Sequence, residues 1–306
     1  MAETSSGRLA FIKEVTPGVT PATPAFNQID FTQENLKLNK SNVRSNSVTP
    51  QRVVAASRGT SKDVGQGFTH ELVYGPEVDL LFQALMGNAY SSNIAKAGGS
   101  VVDYFSFERK ISASMFRRFV KCRMGTLDLN ITPEQYITAQ WGVVGASLVT
   151  GTSQITGATY AAPSSEIKLT ALDVASITLG NGLTGSFDFE GLTLKVDNNL
   201  TPSKRIGPDS VRGVRAGQCV VTGQMRVYID DNAFADAFNT DTTFSFEVEV
   251  GDGGNGYIFR GEKTAITGYD DGNPGNAQEF VATVDFECVL DDTAGTSFSI
   301  EKVSAG

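Results

Sequence analysis

A single histidine, three cysteines and one tryptophan in 306 residues leave little material for catalysis or metal binding. His70 is the one imidazole open to a Ser-His-Asp or Cys-His arrangement, and no nucleophile motif stands beside it. It falls within an apparent strand, where a side chain facing solvent or a neighbour is expected. One His also argues against the His-rich zinc sites. Cys122, Cys219 and Cys288 are odd in number and widely spaced, with no C-x-x-C pair. They read as small buried hydrophobes, not as a disulfide framework or zinc knuckle. No G-x-x-x-x-G-K-[ST] occurs, and no G-x-G-x-x-G joins a strand to a helix. Gly251 to Gly256 and Asp270 to Gly275 are acidic and Gly-rich, but neither matches a calcium loop, and both suit turns between strands. Accordingly no catalytic residue, metal or cofactor is expected.

Long apolar runs are missing too. Nothing approaches the length of a membrane span, and Met1 to Arg8 is polar, so neither a membrane anchor nor an export signal is expected. Charged residues are sparse at 19%, and their balance is uneven. Residues 1–160 hold 15 Lys/Arg and 12 Asp/Glu; residues 161–306 hold 10 and 22. An acidic second half offers phosphates no counterion-releasing contacts, so specific nucleic-acid binding is not expected. The basic cluster around Arg117 and Arg118 reads as an outward face or a contact to an acidic neighbour.

What the chain does have is glycine, 32 residues of it, and a hydrophobic share of 40%. That mixture predicts many short strands with tight turns, in two domains of ordinary size. An internal repeat supports the division. Phe105-Ser106-Phe107-Glu108 recurs as Phe244-Ser245-Phe246-Glu247, with the same order of elements around each copy. Each copy opens on an alternating strand, at Leu36-Lys37-Leu38 and Leu192-Thr193-Leu194-Lys195. A polar Pro-containing stretch follows, Lys40 to Gly65 and Asp197 to Gly217. Next comes a strand ending in Tyr74 or Tyr228, then a short helix. The first helix starts at Pro76, carries Val78, Leu81, Phe82 and Leu85 as one stripe, and stops at Gly87. The second follows Asp230-Asp231, with a stripe of Phe234, Ala237 and Phe238. Strand meanders close both halves, and Ile94 to Gly99 reads as an extra surface loop in the first.

The expected fold is mainly β: two tandem β-sandwich or barrel domains, each with one short flanking helix. The boundaries read as an N-terminal arm over 1–30, a first sandwich over 31–150, a linker over 151–165 and a second sandwich over 166–306.

The opening Arg8-Leu9-Ala10-Phe11-Ile12-Lys13-Glu14-Val15-Thr16-Pro17-Gly18-Val19-Thr20-Pro21-Ala22-Thr23-Pro24-Ala25 resembles tail tube proteins of long, non-contractile phage tails. The likeness continues through Leu36 to Asn46, Phe68 to Gly87 and Phe105 to Ser147. It implies a structural subunit of the virion tail, assembled in the host cytoplasm. Such subunits form stacked rings that enclose a tape measure protein and later conduct double-stranded DNA. The partners implied are further copies of the chain, the tape measure protein, and tail terminator and distal tail proteins. Because this chain carries two copies of the unit, three chains with pseudo-six-fold symmetry would close a ring. Residues expected at contacts within or between rings are Phe11, Lys13, Arg44, Arg52, Arg58, Arg117, Arg118, Lys204, Arg205 and Arg212. A baseplate, distal-tail or secretion-tube ring protein remains an alternative, as does a carbohydrate-binding β-sandwich.

Overall fold

The computed structural model describes residues 7–48, 50–51, 53–183, 187–207, 210–272 and 279–304. Strands dominate. The first half contains β1 (Arg8–Lys13), β2 (Ala25–Ile29), β3 (Gln33–Glu34), β4 (Lys37–Arg44), β5 (Ser57–Gly65) and β6 (Gly67–Glu71). Helix α1 (Pro76–Met86) follows, then β7 (Ile94–Lys96), β8 (Phe105–Ser112), β9 (Met115–Ile131), β10 (Thr138–Val144), β11 (Ser147–Gly151) and β12 (Thr159–Ala161). A 3-10 turn at Ala171–Asp173 leads into β13 (Val174–Gly180), β14 (Phe189–Asp197), β15 (Thr201–Ser203), β16 (Gly213–Arg215) and β17 (Val220–Tyr228). Helix α2 (Ala233–Asn239), β18 (Phe244–Asp252), β19 (Asn255–Asp270), β20 (Val281–Cys288) and β21 (Phe298–Val303) complete the chain.

Each half is organised around one long strand with two sets of neighbours. β9 pairs with β8 and β11 along its N-terminal part, then with β10. β19 pairs with β18 and β21, then with β20. Sequence alone suggests two segments in each place, but pairing runs through: in β9 Phe119, Cys122, Met124, Leu127, Leu129 and Ile131 are all interior, with two three-residue steps where the ladders slip. The ladder with β10 slips between Gly142 and Val143, and the ladder with β20 slips between Ile266 and Gly268, in the corresponding place. Outer neighbours also correspond, since β1 lies on β8 as β13 lies on β18.

The polar stretches expected as loops are the upper parts of two long hairpins. β3–β4 and β6–β5 keep one register, with Glu34 opposite Phe68 and Lys37 opposite Gly65. In the second half β14 pairs with β17, and β15 pairs with β16 above them.

Three expected boundaries change. Residues 8–29 are not a free arm: β1 sits between β2 and β8, with Leu9, Ala10 and Phe11 at 0% exposure. Residues 151–165 do not hang between two bodies, because β12 adds in parallel to β2 and Tyr160 stacks on Phe26 at 5.3 Å. Ile94–Lys96, expected in a surface loop, is a strand that pairs with β21 of the other half.

The halves are joined by more than β7. β14 of the second half pairs antiparallel with β9 of the first, Leu194 opposite Leu129 and Lys195 opposite Asp128. Helix α1 is the apolar plug of this junction. Pro76 starts it and Gly87, at φ 71°, ends it in the left-handed conformation. Its buried Phe82 lies 5.5 Å from Trp141 of its own half, and 5.0 and 6.0 Å from Tyr257 and Phe259 of the other. A single connected hydrophobic core therefore includes residues of both halves.

His70 is buried at 1% exposure, between strands, rather than facing solvent. It stacks on Trp141 at 6.3 Å, and its Nδ1 lies 2.8 Å from the Glu71 carbonyl. Burial pushes its pKa down to about 4. The native state thus resists the proton that the unfolded chain takes up near pH 6.5. Stability is lost as pH falls from about 6.5 through 4, by up to about 3 kcal/mol. We expect His70→Leu, of similar volume, to melt with a shallower pH dependence than the parent across that window. Equal slopes in the two proteins would contradict a buried neutral imidazole. His70→Ala, harmless at an exposed site, is expected to destabilise here by opening a cavity.

Candidate functional site

The candidate sites are surfaces and open strand edges. The acidic residues of the repeated Phe-Ser-Phe-Glu segments are committed to the fold. Glu108, at 0% exposure, accepts from Arg118 Nε at 2.7 Å, Arg8 Nη2 at 3.0 Å and Tyr160 Oη at 2.6 Å. Glu247 accepts from Arg260 Nε at 2.6 Å, and Arg260 also reaches Glu301. The repeat therefore marks a recurring carboxylate–guanidinium clamp across a hairpin. Glu14, from the Pro-rich opening, is buried too. It accepts from Ser106 Oγ at 2.8 Å and the Lys121 amide at 2.7 Å, and ties down the turn through the Gly18 amide.

These contacts decide which expected residues are available to partners. Phe11 is not: it is a core residue, 6.1 and 5.8 Å from Phe105 and Phe107. Arg118 is not either, because the same clamp holds it and its Nη2 donates to the Ser153 carbonyl. Lys13 is exposed, paired at 2.7 Å with Asp103. Arg117 is exposed on β9. Arg44 and Arg58 are exposed toward the far end of the first long hairpin. Lys204 and Arg205 are exposed in the connection between β15 and β16, and Arg212 is exposed at its return. Arg52 lies outside the described residues. The structure thus divides the nine described residues into a hairpin set, a β9 residue, the half-paired Lys13, and Phe11 and Arg118, which are committed within the subunit.

The hairpins end differently. Val43, Val48, Val53 and Val54 of the first are 55–100% exposed. In the second, Val211 and Val214 are 3% exposed, docked on the first half. There Arg123 Nη1 donates to the Val214 carbonyl at 2.7 Å, and Lys121 Nζ reaches the Arg212 carbonyl.

Sequence reasoning missed the open strand edges, because an edge is a property of pairing and not of composition. Two stand out. No described strand pairs with the outer edge of β3 and the start of β4, residues 33–38. The C-terminal part of β19 likewise pairs only with β20 among the described residues. Exposed Lys37 stands on the first edge and exposed Asp270 ends the second.

The large surface depressions do not suggest catalysis. One of about 860 Å³ is lined by Arg8, Gln28, Asp30, Glu34, Arg109 and Lys168 among others. Glu34 and Arg109 in it are already paired with each other. Among the described residues no group of three or more His, Cys, Asp or Glu could hold a metal ion. None of the described helices is long and apolar enough to cross a membrane. Burial raises the thiol pKa of Cys122, Cys219 and Cys288, so none is an activated nucleophile.

A family model described as phage tail tube protein matches residues 4–288. The search of curated proteins found no match.

Proposed function

The chain belongs to the phage tail tube protein family, a structural component of the virion tail, and on that premise we propose that three copies close each ring of the tube, every copy filling two of six pseudo-equivalent positions. The observation that carries this reading is the matched pairing of the halves. β1, β8, β9, β10 and β6 in the first pair in the same order as β13, β18, β19, β20 and β17 in the second. A half that merely decorated the outside would be under no demand to keep the helix and the long hairpin. Here both remain.

In this reading the rings stack through the hairpins, with Arg44, Arg58, Lys204 and Arg205 presented to the neighbouring ring. The tube encloses a tape measure protein, ends on tail terminator and distal tail proteins, and later passes double-stranded DNA without gripping it. The acidic second half favours passage over binding, since like charge offers phosphates no counterion release. Assembly takes place in the host cytoplasm, and no enzymatic step is required. The experiment is electron microscopy of the purified chain. Tubes of uniform diameter are expected; a protein that stays monomeric at high concentration would sink the reading.

A further inference from the structure

We propose that the contact between neighbouring copies repeats the junction already built inside each chain, with Leu36 to Asn39 of one copy added antiparallel to Gly268–Asp271 of the next. The inference rests on the ring reading above and names the surfaces that close it. The occupant of each open edge is a second copy of this chain.

The internal junction is the template. Inside the chain, β14 lies on the C-terminal part of β9, with Val196 opposite Leu127, Lys195 opposite Asp128 and Leu194 opposite Leu129. Pairing places each of these residues in the other half. Phe68 lies opposite Trp141 as Met225 lies opposite Val284, and Glu34 faces Phe68 as Leu192 faces Met225. Counting on, Leu36-Lys37-Leu38 occupies the place of Leu194-Lys195-Val196. The burial agrees, since Leu36 and Leu194 are 1% and 2% exposed, with an exposed Lys after each. On the other side, Glu108 opposite Arg118 matches Glu247 opposite Arg260, and the two ladder irregularities coincide. Tyr269 and Asp270 then stand where Leu127 and Asp128 stand.

Carrying the internal register across therefore puts Leu38 opposite Tyr269, and Lys37 opposite Asp270. The Lys–Asp pair of the internal junction is reproduced without adjustment. Within the chain the β14 and β9 edges satisfy each other, whereas no described strand pairs with the corresponding two edges, where the Leu36 amide donates instead to Glu34 Oε1 at 2.8 Å. Unpaired strand edges are templates for strand addition.

Helix contacts give an independent match. In the chain, Asp79 of α1 accepts from Tyr257 Oη at 2.9 Å, with Lys302 Nζ 3.3 Å away. Helix α2 carries one carboxylate, Asp236, which is exposed, and beside it Phe238 is 39% exposed. The positions corresponding to Tyr257 and Phe259 in the first half are Met115 and Arg117, also exposed. The same neighbour that receives β19 thus offers a basic, partly apolar face to an acidic, partly apolar helix, giving charge complementarity at both contacts.

The test is a charge exchange. Lys37→Glu and Asp270→Lys each place like charges across the contact, repeated at every junction. We expect either variant to fold and melt like the parent, yet to need at least tenfold more protein to form tubes. The double variant Lys37→Glu/Asp270→Lys restores assembly. Separately, assembled Lys37→Cys/Asp270→Cys protein yields disulfide-linked oligomers on oxidation, because directly opposed strand positions meet the geometry. The junction is overturned if the parent forms tubes while the single variants assemble equally well, or if the paired cysteines never cross-link. Failure of the parent itself to assemble removes the ring reading, and this inference with it.

Discussion

Deletion of residues 7–20 is expected to abolish folding, not merely assembly. The segment contains β1, which pairs with β2 on one side and β8 on the other. Leu9 and Phe11 are fully buried. Each such side chain contributes about 1.5–3 kcal/mol, against a total stability of about 5–15 kcal/mol for an ordinary domain. The deletion also uncovers the ladder edge of β8 and strips Ser106 and the Lys121 amide of the Glu14 carboxylate. A buried donor left without its acceptor costs about 1–3 kcal/mol. The measurement is thermal melting followed by circular dichroism. No cooperative transition is expected, and a deletion protein melting near the parent temperature would show that β1 is dispensable.

The second large effect is expected at Phe82, where one ring joins the halves. It packs against Trp141 on one side and against Tyr257 and Phe259 on the other. Phe82→Ala removes these contacts and leaves a void that the flanking β-sheet cannot close, at about 3–5 kcal/mol. The melting temperature should fall on the order of 10 °C. The loss should also separate the unfolding of the two halves, because α1 would no longer tie the first to β19. Calorimetry distinguishes this from ordinary core damage. A single sharp transition at the parent temperature would mean that the strand pairings β9–β14 and β7–β21 hold the halves together without this ring.

The repeated Phe-Ser-Phe-Glu strands were legible because a tetrapeptide with alternating apolar residues fixes both element and face. The helices were legible from the apolar stripe and, in α1, from Pro76 and Gly87. The register of the opening strand was not. Leu36 reads naturally against Leu192, but pairing sets it against Leu194. An alternating pattern matches itself at every even offset, so only the partner strands decide. β1 escaped notice for a related reason. Its counterpart β13 shares its position and not its residues, and the Pro-rich run after it suggests an extended arm. The buried carboxylate of Glu14 shows why that run is fixed: its turn is tied to β8 and β9 of the same subunit.

Arg117 and Arg118 show the limit for sites. Adjacent strand residues point to opposite faces, so one is spent on Glu108 and the other is presented outward. Composition cannot tell which is which, whereas the pairing with β8 can. The open edges at 33–38 and at the end of β19 carry no residue signature at all.

In the proposed tube the two halves of one chain occupy equivalent ring positions. Averaged electron cryo-microscopy images of the assembled tube test it most directly, by counting chains per ring. Three chains and six similar domains around the lumen are expected; six chains per ring, with the second half outside, would show that the halves are not equivalent.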